Sequence, residues 1–135
     1  INAIPKSINY YIGRDNRFQY QKDKKEFQKI AKLMTLKERP KQPIEKCNIT
    51  ITYYFKDKRR RDPSNFDKFV LDFLVESGFI TDDNYFVINE FKTLGRVDSK
   101  NPRTEIEIIP DNFKYDFCMK RSTCNGCRYE ESCER

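Results

Sequence analysis

Two stretches of this 135-residue chain carry most of its candidate chemistry: the run Arg59-Arg60-Arg61-Asp62-Pro63-Ser64-Asn65-Phe66-Asp67-Lys68 and the pair Asp82-Asp83. Carboxylates at Asp62, Asp82 and Asp83 are hard oxygen donors of the kind that hold Mg²⁺ or Mn²⁺, and Mg²⁺ takes few of them because it keeps several waters. A divalent ion beside a phosphodiester activates water for attack. The cations Lys56, Lys58, Arg59, Arg60 and Arg61 would draw in the polyanion that carries that phosphodiester. Lys68 is protonated near neutral pH at its ordinary pKa, which suits it to stabilising charge on phosphorus rather than to removing a proton. The chemistry this pairing can do is metal-assisted phosphodiester hydrolysis.

Each of these residues also has a purely structural use. Asp62 before Pro63 fits a helix N-cap, and Ser64 with Asp67 three residues on fits a capping box. Asp82 and Asp83 fit a turn. Lys68 and Asp72, spaced i and i+4, fit a surface ion pair worth about 0.2–0.5 kcal/mol. The basic run fits a solvated loop, although its cations would repel one another unless an anion lies opposite.

The chain contains no histidine. That excludes Ser-His-Asp and Cys-His catalysis, histidine-ligated metals and a histidine general base. No glycine-rich phosphate loop is present, so acid-base or metal chemistry falls to carboxylate, thiol, lysine, tyrosine or bound water.

The elements that must position these groups follow from periodicity. Residues 1–17 mix apolar positions with Pro5, Ser7, Asn9 and Gly13 and predict a short strand running into a loop. Lys24 to Met34 reads as a helix with Phe27, Ile30, Ala31 and Met34 on its buried stripe. After Pro40 and Pro43, Ile44 to Phe55 alternates as a strand. A second helix starts at Asp62 or Ser64 and runs to about Glu76, with Gly78 as its stop. Phe66, Phe69, Val70, Phe73 and Leu74 form its core stripe, and Asn65, Lys68, Asp72 and Glu76 fall on another face. Leu71 and Val75 add apolar area outside the stripe, which leaves room for a dimer contact. Tyr85 to Leu94 and Arg103 to Ile109 alternate as strands, joined by a polar turn through Val97 to Pro102. The expected fold is α+β, a small mixed sheet packed against two main helices. Asp62 lies at one end of the second helix and Asp82-Asp83 beyond the other, so the strands must fold those ends together.

A net charge of +6 with 36% charged residues fits a polyanionic partner. No apolar run approaches a membrane span. No secretory pattern opens the chain, which begins at Ile1 rather than Met, and a cytoplasmic location is expected. The composition changes after the last strand, dividing the sequence into a domain over residues 1–111 and an appendage over residues 112–135. Cys118, Cys124, Cys127 and Cys133 follow C-x5-C-x2-C-x5-C in that appendage, with Cys47 alone in a strand. In a cytosolic chain without histidine, such spacing favours a four-thiolate zinc site, and its C-x2-C-x5-C ending is also similar to those that hold [4Fe-4S] clusters in some DNA-processing nucleases. Free or disulfide-linked cysteines are the remaining state. Lys120, Arg121 and Arg128 would extend the cationic surface.

The order Arg61-Asp62, Asn65, Lys68, Asp72, Leu74, Gly78-Phe79 and Asp82-Asp83 resembles the RusA family of Holliday-junction resolvases. Pro5-x-Ser7-x-Asn9-x-Tyr11 is similar to that family's opening, and the resemblance covers roughly residues 4–110. It implies an α+β homodimer that incises four-way DNA junctions with Mg²⁺, with Asp62 and Asp83 in metal binding and Lys68 needed for activity. Two equivalent centres would suit paired nicks. The basic loop and Asn65 would hold phosphates, leaving recognition mainly to branch shape. Many family members carry an acidic residue where this chain has Ser64, which predicts weaker Mg²⁺ binding. The extreme form of that loss is the rival expectation, a non-catalytic branched-DNA-binding protein with a degenerate acidic centre. A surface for RNA or single strands, with tyrosines and phenylalanines as stacking platforms, is a third reading, opposed by the core spacing of most of those aromatics.

Overall fold

The computed structural model describes residues 1–12 and 17–114; the four appendage cysteines lie outside the described residues. Strand β1 (Cys47–Phe55) shows the predicted alternation. Cys47, Ile49, Ile51, Tyr53 and Phe55 are buried, while Asn48, Thr50, Thr52 and Tyr54 are half-buried on the opposite face. It is the centre of a three-stranded mixed sheet, parallel to β2 (Ile88–Val97) and antiparallel to β3 (Arg103–Pro110).

A parallel pair cannot be closed by a hairpin and needs a crossover. The crossover runs through the basic loop, a 3-10 turn η2 (Pro63–Phe66) and helix α2 (Asp67–Glu76). Phe66, Phe69, Val70, Phe73 and Leu74 are all buried, as the 3.6-residue period predicts. Gly78, at φ 77°, supplies the left-handed stop. Helix α1 (Arg17–Thr35) packs on α2 through aromatics: Tyr20 stacks on Phe69 at 5.2 Å, and Phe27 lies 6.3 Å from Phe73 between ring centres.

Several boundaries differ from the sequence expectation, each for a local reason. The opening residues form no named strand; Ile8–Tyr10 is a 3-10 turn, η1, whose N-cap Ser7 accepts a hydrogen bond from Asn9 N at 3.3 Å. Ile1 exchanges backbone hydrogen bonds of 2.9 and 2.8 Å with Thr104 without forming a strand. Helix α1 begins at Arg17 rather than Lys24, because Tyr20 and the buried Asp23 give its first turns a partner that an apolar count misses. Its stripe is correspondingly shifted: Phe27 and Ala31 are buried, whereas Ile30 and Met34 are exposed. Strand β1 starts at Cys47, and Ile44 makes only an isolated bridge with Ile80. Strand β2 starts at Ile88 rather than Tyr85, since Val87 and Ile88 both donate to Asn84 O and close a turn there. The turn through Val97 to Pro102 does not join neighbours; β2 and β3 lie on opposite sides of β1.

The second helix is the most consequential difference. It splits into η2 and α2, and no capping box forms. Asp62 makes no side-chain cap hydrogen bond. Asp67 is instead buried, with Oδ1 accepting from the Tyr53 and Thr93 hydroxyls at 2.7 Å each.

Candidate active site

The basic loop leaves the C-terminal end of β1 and carries its own counter-ion. Arg61 Nη1 lies 2.7 Å from Asp57 Oδ1, and Arg59 Nε lies 3.6 Å from Oδ2. The Arg61 guanidinium also sits 4.9 Å over the Phe55 ring and donates to the Asp57 and Arg59 carbonyls. Its hydrogen bond to Asp57, helped by the Arg59 amide, holds that carboxyl down to about 2. Arg61 therefore shapes the loop, and the anion required opposite the basic run lies partly within it. Lys56, Lys58 and Arg60 make no ion pair among the described residues. Lys58, Arg59 and Arg60 line a groove with Arg96 of β2. Unpaired cations along a groove are the electrostatic requirement for holding a phosphate backbone.

Past the loop, η2 is seated directly on β2. A Cβ at Gly95 would lie 3.1 Å from Pro63 Cγ and 3.5 Å from the Phe55 ring, so the absence of a side chain there lets Pro63 approach. In a 3-10 turn residues i and i+3 eclipse, which sets Asn65 over Asp62, and Asn65 N donates to Asp62 O at 3.1 Å. The Asp62 carboxylate is exposed and makes no hydrogen bond or ion pair among the described residues. It faces a pocket of about 510 Å³ shared with Ser7, Asn9, Arg60, Arg61, Asn65 and Phe66. Ser7 and Asn9 were not identified as site residues from sequence, although they lie in the opening motif.

Lys68, the second residue of α2, donates to Asp72 Oδ1 at 2.8 Å. The expected surface pair proves to be part of a network: Lys24 of α1 bridges Asp72 Oδ2 at 3.1 Å and Glu76 at 2.9 Å, and Gln28 donates to Glu76 at 2.6 Å. The hydrogen bond to Asp72 raises the Lys68 pKa against partial burial, with the charges of Asp72 and Asp83 adding to it. The two members of the acidic pair differ in use. Asp82 builds the turn, its Oδ1 accepting from Asp83 N at 2.7 Å and its Oδ2 from Asn84 Nδ2 at 2.9 Å. The Asp83 carboxylate makes no hydrogen bond among the described residues.

Over residues 1–109 the sequence matches the family described as Endodeoxyribonuclease RusA. The chain belongs to the RusA endodeoxyribonuclease family. It is thus a Holliday-junction endodeoxyribonuclease, and RusA-family nucleases are typically Mg²⁺-dependent. No curated protein matches it.

For a RusA-family chain the donor set is sparse. Among the described residues there is no group of three or more aspartate, glutamate, cysteine or histidine side chains arranged to hold a metal. Of the three aspartates expected to hold the ion, Asp62 and Asp83 are uncommitted. One or two carboxylates fit Mg²⁺, which fills the rest of its octahedron with water and substrate oxygens. Asp82 has both oxygens engaged in its turn. Cys47 is a core residue whose thiol pKa is raised by burial, so it offers no ligand here. No helix among the described residues is long and apolar enough to cross a membrane.

Proposed function

We propose that this RusA-family nuclease nicks four-way DNA junctions through Asp62, Asp83 and Lys68, with Lys56, Lys58, Arg59, Arg60 and Asn65 holding the backbone. The observation that carries the reading is the free Asp62 carboxylate in a pocket that also holds Arg60, which lines the neighbouring groove with Lys58 and, like it, has no ion-pair partner among the described residues. An exposed carboxylate next to arginines ordinarily pairs with them. Here Asp57 takes Arg61, which leaves Asp62 uncommitted.

A bound Mg²⁺ or Mn²⁺ would supply a low-pKa water and charge neutralisation at phosphorus. Asp62 and Asp83 would hold the ion. Lys68, kept protonated by Asp72, offsets charge that builds on the non-bridging oxygens as the nucleophile arrives. The groove cations bind phosphates without reading bases, so selectivity comes from branch shape. The protein would work as a two-fold dimer, because a four-way junction presents two equivalent strands. The appendage would be a separate unit beyond residue 111. Its spacing supports a four-thiolate zinc site that orders a segment too short to fold alone, with a [4Fe-4S] cluster as the other candidate.

The test is cleavage of four-way, forked, duplex and single-stranded DNA with Mg²⁺ or Mn²⁺. Asp62→Asn and Asp83→Asn should each lower the junction rate by roughly 10²–10³-fold while binding persists. Wild-type protein that binds junctions but makes no nicks with either ion would favour the non-catalytic reading instead. Elemental analysis and visible absorbance of the purified protein would distinguish zinc, iron-sulfur and metal-free states of the appendage, and light scattering would give the oligomeric state.

A further inference from the structure

The opening turn η1 is held far more firmly than a three-residue surface turn requires. Lys6 and Tyr11 flank it, and both bind Asp23 of α1: Lys6 Nζ at 3.0 Å and the Tyr11 hydroxyl at 2.6 Å, both to Oδ2, while Gln19 takes Oδ1 at 2.8 Å. The Asp23 side chain is only 7% exposed. Burial pushes its pKa up, but the hydrogen bonds from Tyr11, Lys6 and Gln19 outweigh that and lower it. Tyr11 is further wedged edge-on between the Tyr10 and Tyr20 rings, each at 5.1 Å. Upstream, Thr104 Oγ1 donates to Ala3 O at 2.7 Å and ties the segment to β3. A buried carboxylate with three donors is a costly way to fix a turn that contributes no buried residue. What the clamp holds in place is Ser7 and Asn9, on the wall of the Asp62 pocket.

Asn9 is exposed, and its side-chain amide has no partner among the described residues. The half-buried Asn65 amide and the exposed Arg60 guanidinium, which line the same pocket, also have no side-chain partner among the described residues. Amide donors suit this wall for an electrostatic reason. A lysine facing Asp62 would pair with it and remove it as a ligand, whereas a neutral N–H₂ donates to a phosphate oxygen and leaves the carboxylate charged.

We propose that Asn9 is a substrate-contacting residue, its side-chain amide donating to a non-bridging oxygen of the phosphodiester seated between Asp62, Asn65 and Arg60. The Lys6–Asp23–Tyr11 clamp positions it. This rests on the nuclease reading above and adds an element that the helix and its acidic pair do not contain.

Junction affinity measured without divalent ion, alongside the single-turnover rate with Mg²⁺ and the melting temperature, tests the proposal. Asn9→Ala should weaken binding about tenfold, as for loss of one hydrogen bond to a charged group, with an unchanged melting temperature because the exposed side chain makes no hydrogen bond among the described residues. Asn9→Asp keeps the shape but presents an anion to phosphate, so it should bind worse than Asn9→Ala. Tyr11→Phe, which removes a clamp hydroxyl outside the pocket lining, should show a smaller loss. If Asn9→Ala and Asn9→Asp both match wild type in affinity and rate while wild type cleaves normally, the proposal fails and the nuclease reading stands. An affinity loss that tracks a fall in melting temperature would also overturn it, since the role would then be structural. Wild-type protein that neither binds nor cuts branched DNA would overturn both.

Discussion

At the scale of single residues, two carboxylates adjacent in sequence have different work. Asp82 spends both oxygens on its turn and Asp83 spends none. Asp62 is likewise free, while Asp67, five positions on, is buried under two hydroxyls. Ser64 is exposed on η2 between them and cannot replace a carboxylate as a hard anionic ligand. Restoring the charge should therefore strengthen the metal site. In a Mg²⁺ titration of junction cleavage, Ser64→Asp is expected to reach half-maximal rate at roughly tenfold lower Mg²⁺, about 1.4 kcal/mol. An unchanged midpoint would mean that Ser64 does not adjoin the ion.

At the scale of elements, the placement of η2 on β2 decides where Asp62 points. Gly95→Val would put methyl groups into the 3.1 Å contact with Pro63, and the turn would be lifted from the sheet. The expected result is a cleavage loss of roughly tenfold or more, with a drop in melting temperature because the added methyl groups also approach the buried Phe55 ring. Asp67 joins α2 to the sheet in a pH-dependent way. Burial raises its pKa despite the hydrogen bonds from Tyr53 and Thr93. Its contribution to stability is therefore full below the ordinary carboxylate pKa of about 4 and is lost as pH rises through the raised folded value. Asp67→Asn keeps an oxygen for both hydroxyls and removes the buried charge. It should melt above wild type at pH 7, and the gap should close towards pH 4; a gap that widens in acid would refute the assignment.

At the scale of the whole molecule, the basic loop, Arg96 and the Asp62 pocket gather at the end of the sheet where β1 and β2 both finish. Binding there should be steeply salt-dependent, at about 0.9 log units per log salt for each phosphate contacted. Arg60 and Arg61 should separate in such a titration. Arg60→Ala should reduce the slope by about one contact and leave the melting curve alone. Arg61→Ala removes the Asp57 pair and the packing over Phe55, so its principal effect should be on loop order and melting temperature. Equal slopes for wild type and Arg60→Ala would remove Arg60 from the interface.

Much of this protein was legible in the linear order of its residues. The α2 stripe of Phe66, Phe69, Val70, Phe73 and Leu74 and the β1 alternation are local periodicities, and the order from Asp62 to Asp83 carries the family. Less legible were the start of α1 and the opening turn, because polar contacts made by Asp23, Lys6 and Tyr11 hold them and leave no apolar period. Only the tertiary structure decided which charges remain available. Asp57 neutralises Arg61, hydroxyls from two strands claim Asp67, a turn consumes Asp82, and Asn9 arrives beside Asp62 from more than fifty residues away. A sequence fixes which groups can ionise or donate, but whether each is already satisfied depends on partners that are neighbours only once the chain has folded.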